Sequence, residues 1–376
     1  MSFISKVLSR ICRRAPLRPR VYSNPNFIRI PPEQKVEEET LPDYLPARYY
    51  PVQIGEVFAD RYQVVGKLGF GATSTVWLAH DLSQDDHVTL KVFIRSQALV
   101  NGPDGEHLVL AHPPLGDSLE VGIRRSSPRR LPPSGLRYIL KDIFLALDYL
   151  HVECQIIHTD IKADNIMFRI TDPSILTDFA EQELQAPCPR KELEGRTIYT
   201  SRAFKSTGRI GPPVLCDFGA AVFADRENIA CVQPHVYRAP EVILKCHWDH
   251  KIDIWNVGCM AWNLFEGDLL FHAIDPEHLE YRRRAHLAEI IGVLGLPPKD
   301  LLSRGQLTNK FFSDQGTYIG GIQLPPPTPL EELEALLSGD ERRQFLEFMR
   351  KMLQWAPEQR STANELWCDD WLQENK

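Results

Sequence analysis

The chain has no run of 18 or more apolar residues, which excludes a helical membrane span. It has no Cys-x-x-Cys pair. Its eight cysteines (Cys12, Cys154, Cys188, Cys216, Cys231, Cys246, Cys259 and Cys368) are scattered, which removes zinc-ribbon and dithiol redox chemistry and leaves reduced, mostly buried thiols. Positive charge is not in excess either, since a net charge of −7 gives no basic field for direct contact with nucleic acid. Three further absences are local: no acidic residue precedes Glu33, no Ser or Thr lies between Asp217 and Glu241, and no Glu lies between Arg95 and Gly105.

What is present is ordinary globular usage. The 376 residues, 43% hydrophobic and 25% charged, can bury one large core or two lobes. The acid-free start carries Lys6, Arg10, Arg13, Arg14, Arg18, Arg20 and Arg29, while Phe3, Ile4, Val7, Leu8 and Ile11 recur at helical spacing. Such a segment reads either as a mitochondrial presequence or as a disordered basic tail. Residues 31 to 49, with four prolines and the run Glu37-Glu38-Glu39, read as an extended linker.

Folded structure is expected from Tyr50, with a strand at Arg61 to Val65. Then follow Leu68, Gly69, Phe70, Gly71, Ala72, Thr73, Ser74, Thr75 and Val76. Two glycines between strands leave the backbone free to close over phosphates, and Val76 can pack on a purine; a plain hairpin would look similar. Lys91, in the alternating stretch Val88 to Val92, stands 22 residues past Gly69, where its ammonium can reach the phosphates of a nucleotide under that loop.

Between Ile94 and the next apolar strand, Glu106 to Ala111, lie only the eleven residues Arg95 to Gly105. Gly102, Pro103 and Gly105 make the second half turn material, so a three-turn helix of about 11 residues followed by a strand does not fit.

Leu136, Ile139, Leu140, Ile143, Phe144, Leu147 and Leu150 repeat at three and four and predict a buried helix over Pro133 to His151. It leads to His158-Thr159-Asp160-Ile161-Lys162-Ala163-Asp164-Asn165. Asp160 is the candidate base, Lys162 the candidate neutraliser of phosphate charge, and Asn165 a candidate metal ligand. Two sites compete to supply a second metal ligand. Thr177-Asp178-Phe179-Ala180 has Ala where a glycine is wanted, whereas Cys216-Asp217-Phe218-Gly219 follows an apolar strand and precedes Glu241 by 24 residues. Asp217 is therefore preferred, and residues 166 to 212 become an insertion whose acids Asp178, Glu181 and Glu183 form a solvated face.

These motifs resemble the protein kinases. The strings Tyr50-Pro51-Val52-Gln53-Ile54-Gly55, Ser74-Thr75-Val76-Trp77-Leu78, His158-Thr159-Asp160-Ile161-Lys162 and Asp253-Ile254-Trp255 resemble the SR-protein kinases among them. The resemblance implies an α+β, two-lobed fold: a tail and linker over 1–49, a small β-rich lobe over 50–115 and a large helical lobe over 116–376. It implies ATP and Mg2+ as cofactors, a Ser/Thr protein substrate with Arg/Ser-rich splicing factors as the model case, a monomer, and cytoplasm and nucleus as the compartments. It also implies that Glu241 pairs with Arg360 and that Asp253 receives the backbone of the catalytic loop. Kinases carry a helix with a Glu that pairs with the phosphate-binding Lys, and no such helix fits after Lys91. The chain as it stands is therefore expected to bind ATP weakly and to show little or no transfer activity, the alternative to a working Ser/Thr kinase being a catalytically impaired pseudokinase or scaffold. Thr159 replaces the usual Arg, which removes the pairing with a phosphorylated loop.

Overall fold

The computed structural model describes residues 17–94, 107–205 and 208–373. The chain forms two compact units, residues 1–116 with 170–210, and residues 117–169 with 211–376. Residues 95–105, read as too short to hold the Glu-bearing helix of kinases, lie outside the described residues, as do residues 1–16.

The first unit is built on an antiparallel sheet of β1 (Val57–Phe58), β2 (Tyr62–Gly71), β3 (Ser74–Asp81), β4 (Asp86–Phe93) and β5 (Val109–His112), in that order. Val76 stands opposite Lys91, and Trp77 opposite Leu90. Because side chains alternate across a strand, Val76, Leu78 and Lys91 share one face, and Trp77, Leu90 and Val92 the other. The Trp77 face is covered by Val52, Cys188 and Tyr199. On the opposite face Val65 and Leu78 pack against Leu176, Phe179 and Ala180 of the helix Ser174–Gln185.

That helix lies in the span read as an insertion, and residues 170–210 group with the first unit. Its buried residues Leu176, Phe179, Ala180 and Glu183 form one stripe. Gly66 makes the approach possible: a Cβ there would meet Phe179 Cε1 at 2.8 Å. The expected solvated acidic face holds for Asp178 and Glu181, which are exposed, but not for Glu183. Glu183 is buried and accepts from Cys188 N at 3.0 Å and from Arg202 Nη2 at 2.9 Å. A carboxylate on the apolar stripe is tolerated because a guanidinium and a backbone amide reach it.

The stretch expected as an extended linker is packed instead. Glu37–Thr40 forms a short 3-10 turn whose three acids each find a partner. Glu38 pairs with the buried Lys67 of β2, Glu37 lies 3.4 Å from the same ammonium and accepts from Ser201 Oγ at 2.6 Å, and Glu39 accepts from Lys191 Nζ at 2.8 Å. Upstream, Arg20 and Gln63 exchange backbone and side-chain bonds at 2.8 and 2.7 Å, and Asn24 Nδ2 donates to Leu184 O at 2.9 Å. The run of glutamates is thus a set of ion-pair partners for two buried lysines, which could not be left unpaired at low cost.

The second unit is helical around one core. The helix Pro133–Asp148 buries Leu136, Ile139, Leu140, Ile143, Phe144 and Leu147 as its periodicity predicts. It packs against Lys251–Glu266, which is buried nearly all round, and the core continues through Phe345, Phe348 and Met349 of Gly339–Met352. Two short strands, Ile166–Arg169 and Pro213–Leu215, pair antiparallel with Leu215 opposite Ile166.

Candidate active site

In the first unit the glycine-rich hairpin is the end of β2 and the start of β3, with Gly71 opposite Ser74 and exposed Ala72 and Thr73 at the turn. Neither Gly69 nor Gly71 has positive φ, and a Cβ on either would meet nothing within 4 Å. What these glycines leave is open space along the loop. Leu68 and Phe70 flank Gly69, and Ser74 and Thr75 are buried where the hairpin joins the sheet. Lys91 is partly buried, with its ammonium 5.2 Å from the centre of the Phe93 ring.

In the second unit the catalytic loop is fixed from below. Asp253, fully buried in the Lys251–Glu266 helix, accepts from His158 N at 2.8 Å and Thr159 N at 2.9 Å, and lies 3.0 Å from His151 Nε2. Asn256 Nδ2, one turn on, donates to Ile161 O at 2.6 Å. A helix with Asp and Asn on one face thereby takes over loop backbone groups that would otherwise be buried unpaired. Thr159 has φ 68°, a left-handed conformation unusual for a β-branched residue. Its hydroxyl donates to Ala220 O at 2.8 Å, which ties the loop to the segment after Asp217.

Above this support Asp160, Lys162 and Asn165 meet. Lys162 Nζ donates to Asp160 Oδ2 at 2.8 Å, and Asn165 Nδ2 donates to the same oxygen at 3.0 Å and to Asp160 O at 2.8 Å. Asn165 and Asp217 are brought alongside by the strand pair, since Cys216 N donates to Asn165 O at 2.8 Å. Asp217 has φ 63° and ψ 73°, and a Cβ on Gly219 would stand 3.2 Å from its Oδ1. The amide oxygen of Asn165 and the carboxylate of Asp217 are hard oxygen donors of the kind Mg2+ takes, so the donor set fits that ion. Asp178 instead sits on the exposed side of a helix in the first unit, and Phe179 beside it is core.

Glu241 and Arg360 form a bidentate pair at 2.6 and 2.7 Å, both fully buried. Gln233 bridges Ile252 O and Ala239 N at 2.8 and 2.9 Å, and so sets the turn that carries Glu241. Sequence reading did not single out Gln233 or His151. A polar residue that proves to be buried leaves no mark in periodicity.

Residues 205–372 match the protein kinase domain family. A serine/threonine protein kinase of Aspergillus fumigatus is 38% identical over 402 residues, covering 97% of this chain and 98% of that protein. The serine/threonine-protein kinase SRPK of Physarum polycephalum is 27% identical, covering 88% of this chain and 90% of that one. Human SRSF protein kinase 3 is 25% identical, with 89% and 90% covered. A crystallised kinase domain shares the fold with a TM-score of 0.65 at 22% identity, over 86% of this chain and 99% of its own. With its α+β, two-lobed kinase fold, the chain belongs to the serine/threonine protein kinases, in the SR-protein-kinase family.

Proposed function

We propose that Asp160 is the base that receives the proton of a protein Ser or Thr hydroxyl while that oxygen takes the γ-phosphoryl group of ATP and ADP departs. The observation that carries this is the clasp on Asp160 Oδ2 by Lys162 Nζ and Asn165 Nδ2, which orients the carboxylate and leaves Oδ1 to accept the proton. Lys162 would also offset charge on the γ-phosphate, and Lys91 would hold the α and β phosphates. Asn165 and Asp217 would hold Mg2+, which when bound neutralises charge on the phosphates. Leu68 and Val76 pack on the base, and Gly69 to Thr75 cover the phosphates.

The named relatives include SRSF protein kinases, and an Arg/Ser-rich protein is the substrate class proposed here, taken up by a monomer. The run Arg282-Arg283-Arg284 carries charge of the same sign as such a substrate. Two of the three are neutralised in place, Arg284 by Asp275 at 2.5 Å and by Glu277, and Arg282 by Glu280 at 2.5 Å. Cytoplasm and nucleus are the compartments proposed. A presequence reading has to accommodate the packing of Arg20 and Asn24 into the first unit, contacts that cleavage beyond them would remove.

The test is phosphoryl transfer from ATP and Mg2+ to an Arg/Ser-repeat peptide by the full chain. Wild type should phosphorylate it, and Asp160→Asn should lower turnover by at least about 100-fold. A wild-type chain that binds ATP yet phosphorylates neither this peptide nor an acidic Ser peptide would overturn the reading in favour of a scaffold.

A further inference from the structure

We infer that Tyr49, outside the kinase motifs, is a positioning residue for the nucleotide phosphates. The inference rests on the reading of the Gly69 to Thr75 loop as the phosphate cover. Tyr49 is buried, and its hydroxyl lies 3.3 Å from Gly71 O and 3.4 Å from Ala72 O, the two carbonyls at the tip of that loop. One proton shared between two acceptors turns both carbonyls toward the tyrosine. In a trans peptide the N–H of each residue points away from the C=O of the residue before it. The amides of Ala72 and Thr73 are therefore turned away from Tyr49.

The side to which they turn follows from the sheet. Tyr49 ends the N-terminal strap, the packed stretch 31–49, and the strap lies on the Trp77 face. Lys67, paired with Glu38 of the strap, has its ammonium 5.9 Å from the centre of the Trp77 ring. Arg196 Nη2 donates to Pro46 O and Tyr49 O, both at 2.5 Å. Tyr199, on the same hairpin as Arg196, meets Trp77 edge-on at 5.7 Å. Lys91 and Val76 occupy the opposite face. Amides turned away from the strap thus point toward the side of the Lys91 ammonium, and two successive N–H groups at a turn make a concave anion site.

The strap is anchored firmly enough for this role. Lys67, immediately before Leu68 and Gly69, is buried at 1% exposure between Glu37 and Glu38, and Glu39 is fixed to Lys191. The root of the loop is held by the ion pair and its tip by the tyrosine. The loop therefore has less freedom to lose when phosphates bind, and its amides need no reorientation.

Tyr49→Phe in the full chain tests this, with ATP and adenosine each titrated against wild type and variant. The expected result is an ATP Kd raised about three- to tenfold, as for the loss of one net hydrogen bond, with the adenosine Kd unchanged and the melting temperature within about 2 °C. An unchanged ATP Kd, or an equal loss for ATP and adenosine, would overturn the role of Tyr49. A wild-type chain that binds neither ligand would instead overturn the nucleotide-site reading, and this inference with it.

Discussion

Asp217 is held in a left-handed backbone conformation at a cost of about 1 to 3 kcal/mol, an observed outlier of the kind that gathers at working sites. Asp178 stands in an ordinary helix and faces solvent. Asp217→Ala should therefore abolish the Mg2+-dependent part of ATP binding, while Asp178→Ala leaves it within about twofold, a contrast read by titrating ATP with and without Mg2+. The reverse pattern would mean that the metal ligand was assigned to the wrong Asp-Phe. At this scale the loop that brings Asp160, Lys162 and Asn165 together was legible, because His158 to Asn165 is a dense string of chemically committed residues. Thr159 was legible only as the loss of an arginine. Its bond to Ala220 spans 61 residues, and nothing in the local pattern announces it. Glu183 was misread for a related reason: its partner Arg202 lies 19 residues on, past a hairpin.

Among elements, the Ser174–Gln185 helix shows how a stripe can be visible and its destination hidden. Leu176, Phe179 and Ala180 mark a helix, but not that it covers Val65 and Leu78 of the sheet. The complementary mark is Gly66, a glycine inside a strand whose left-out Cβ would sit 2.8 Å from the Phe179 ring. Gly66→Ala should force the helix outward and destabilise the chain by about 1 to 3 kcal/mol, despite the better strand propensity of Ala. Phe179→Leu in the same chain should recover part of that loss. Denaturant midpoints of the two single variants and the double give the coupling, and strict additivity would show that the ring is not what Gly66 accommodates. The strap was the least legible element. Proline and charge do describe a linker, and only the burial of Lys67 and Lys191 turns three glutamates into anchors.

At the scale of the whole molecule, stability against pH is shaped by two groups of opposite sign in the second unit, one buried and one half-buried. His286 is fully buried beside Phe271 and Tyr281, with neither ring nitrogen bonded among the described residues. Burial, helped by Arg238 and His235, pushes its pKa down to about 3. Between that value and the ordinary 6.5 the unfolded chain takes up a proton that the folded chain does not, so stability falls as pH drops below 6.5. Glu266, at the end of the Lys251–Glu266 helix, has one carboxylate oxygen unbonded among the described residues. Its pKa is raised to about 7, first by burial and then by Glu334, against a smaller pull from Arg130. From 4.5 to 7 the folded chain keeps a proton that the unfolded chain has released, so this group lowers stability as pH rises. The two slopes oppose each other between about 4.5 and 6.5 and act singly outside that window. His286→Phe should raise stability relative to wild type most at pH 4 and least at pH 7. Glu266→Gln should do the opposite, with little difference at pH 4 and a gain at pH 8. Melting temperatures of the three proteins at those pH values decide it. Parallel curves would mean that neither group titrates across the unfolding transition, and that the buried imidazole and the half-buried carboxyl find partners in the folded chain.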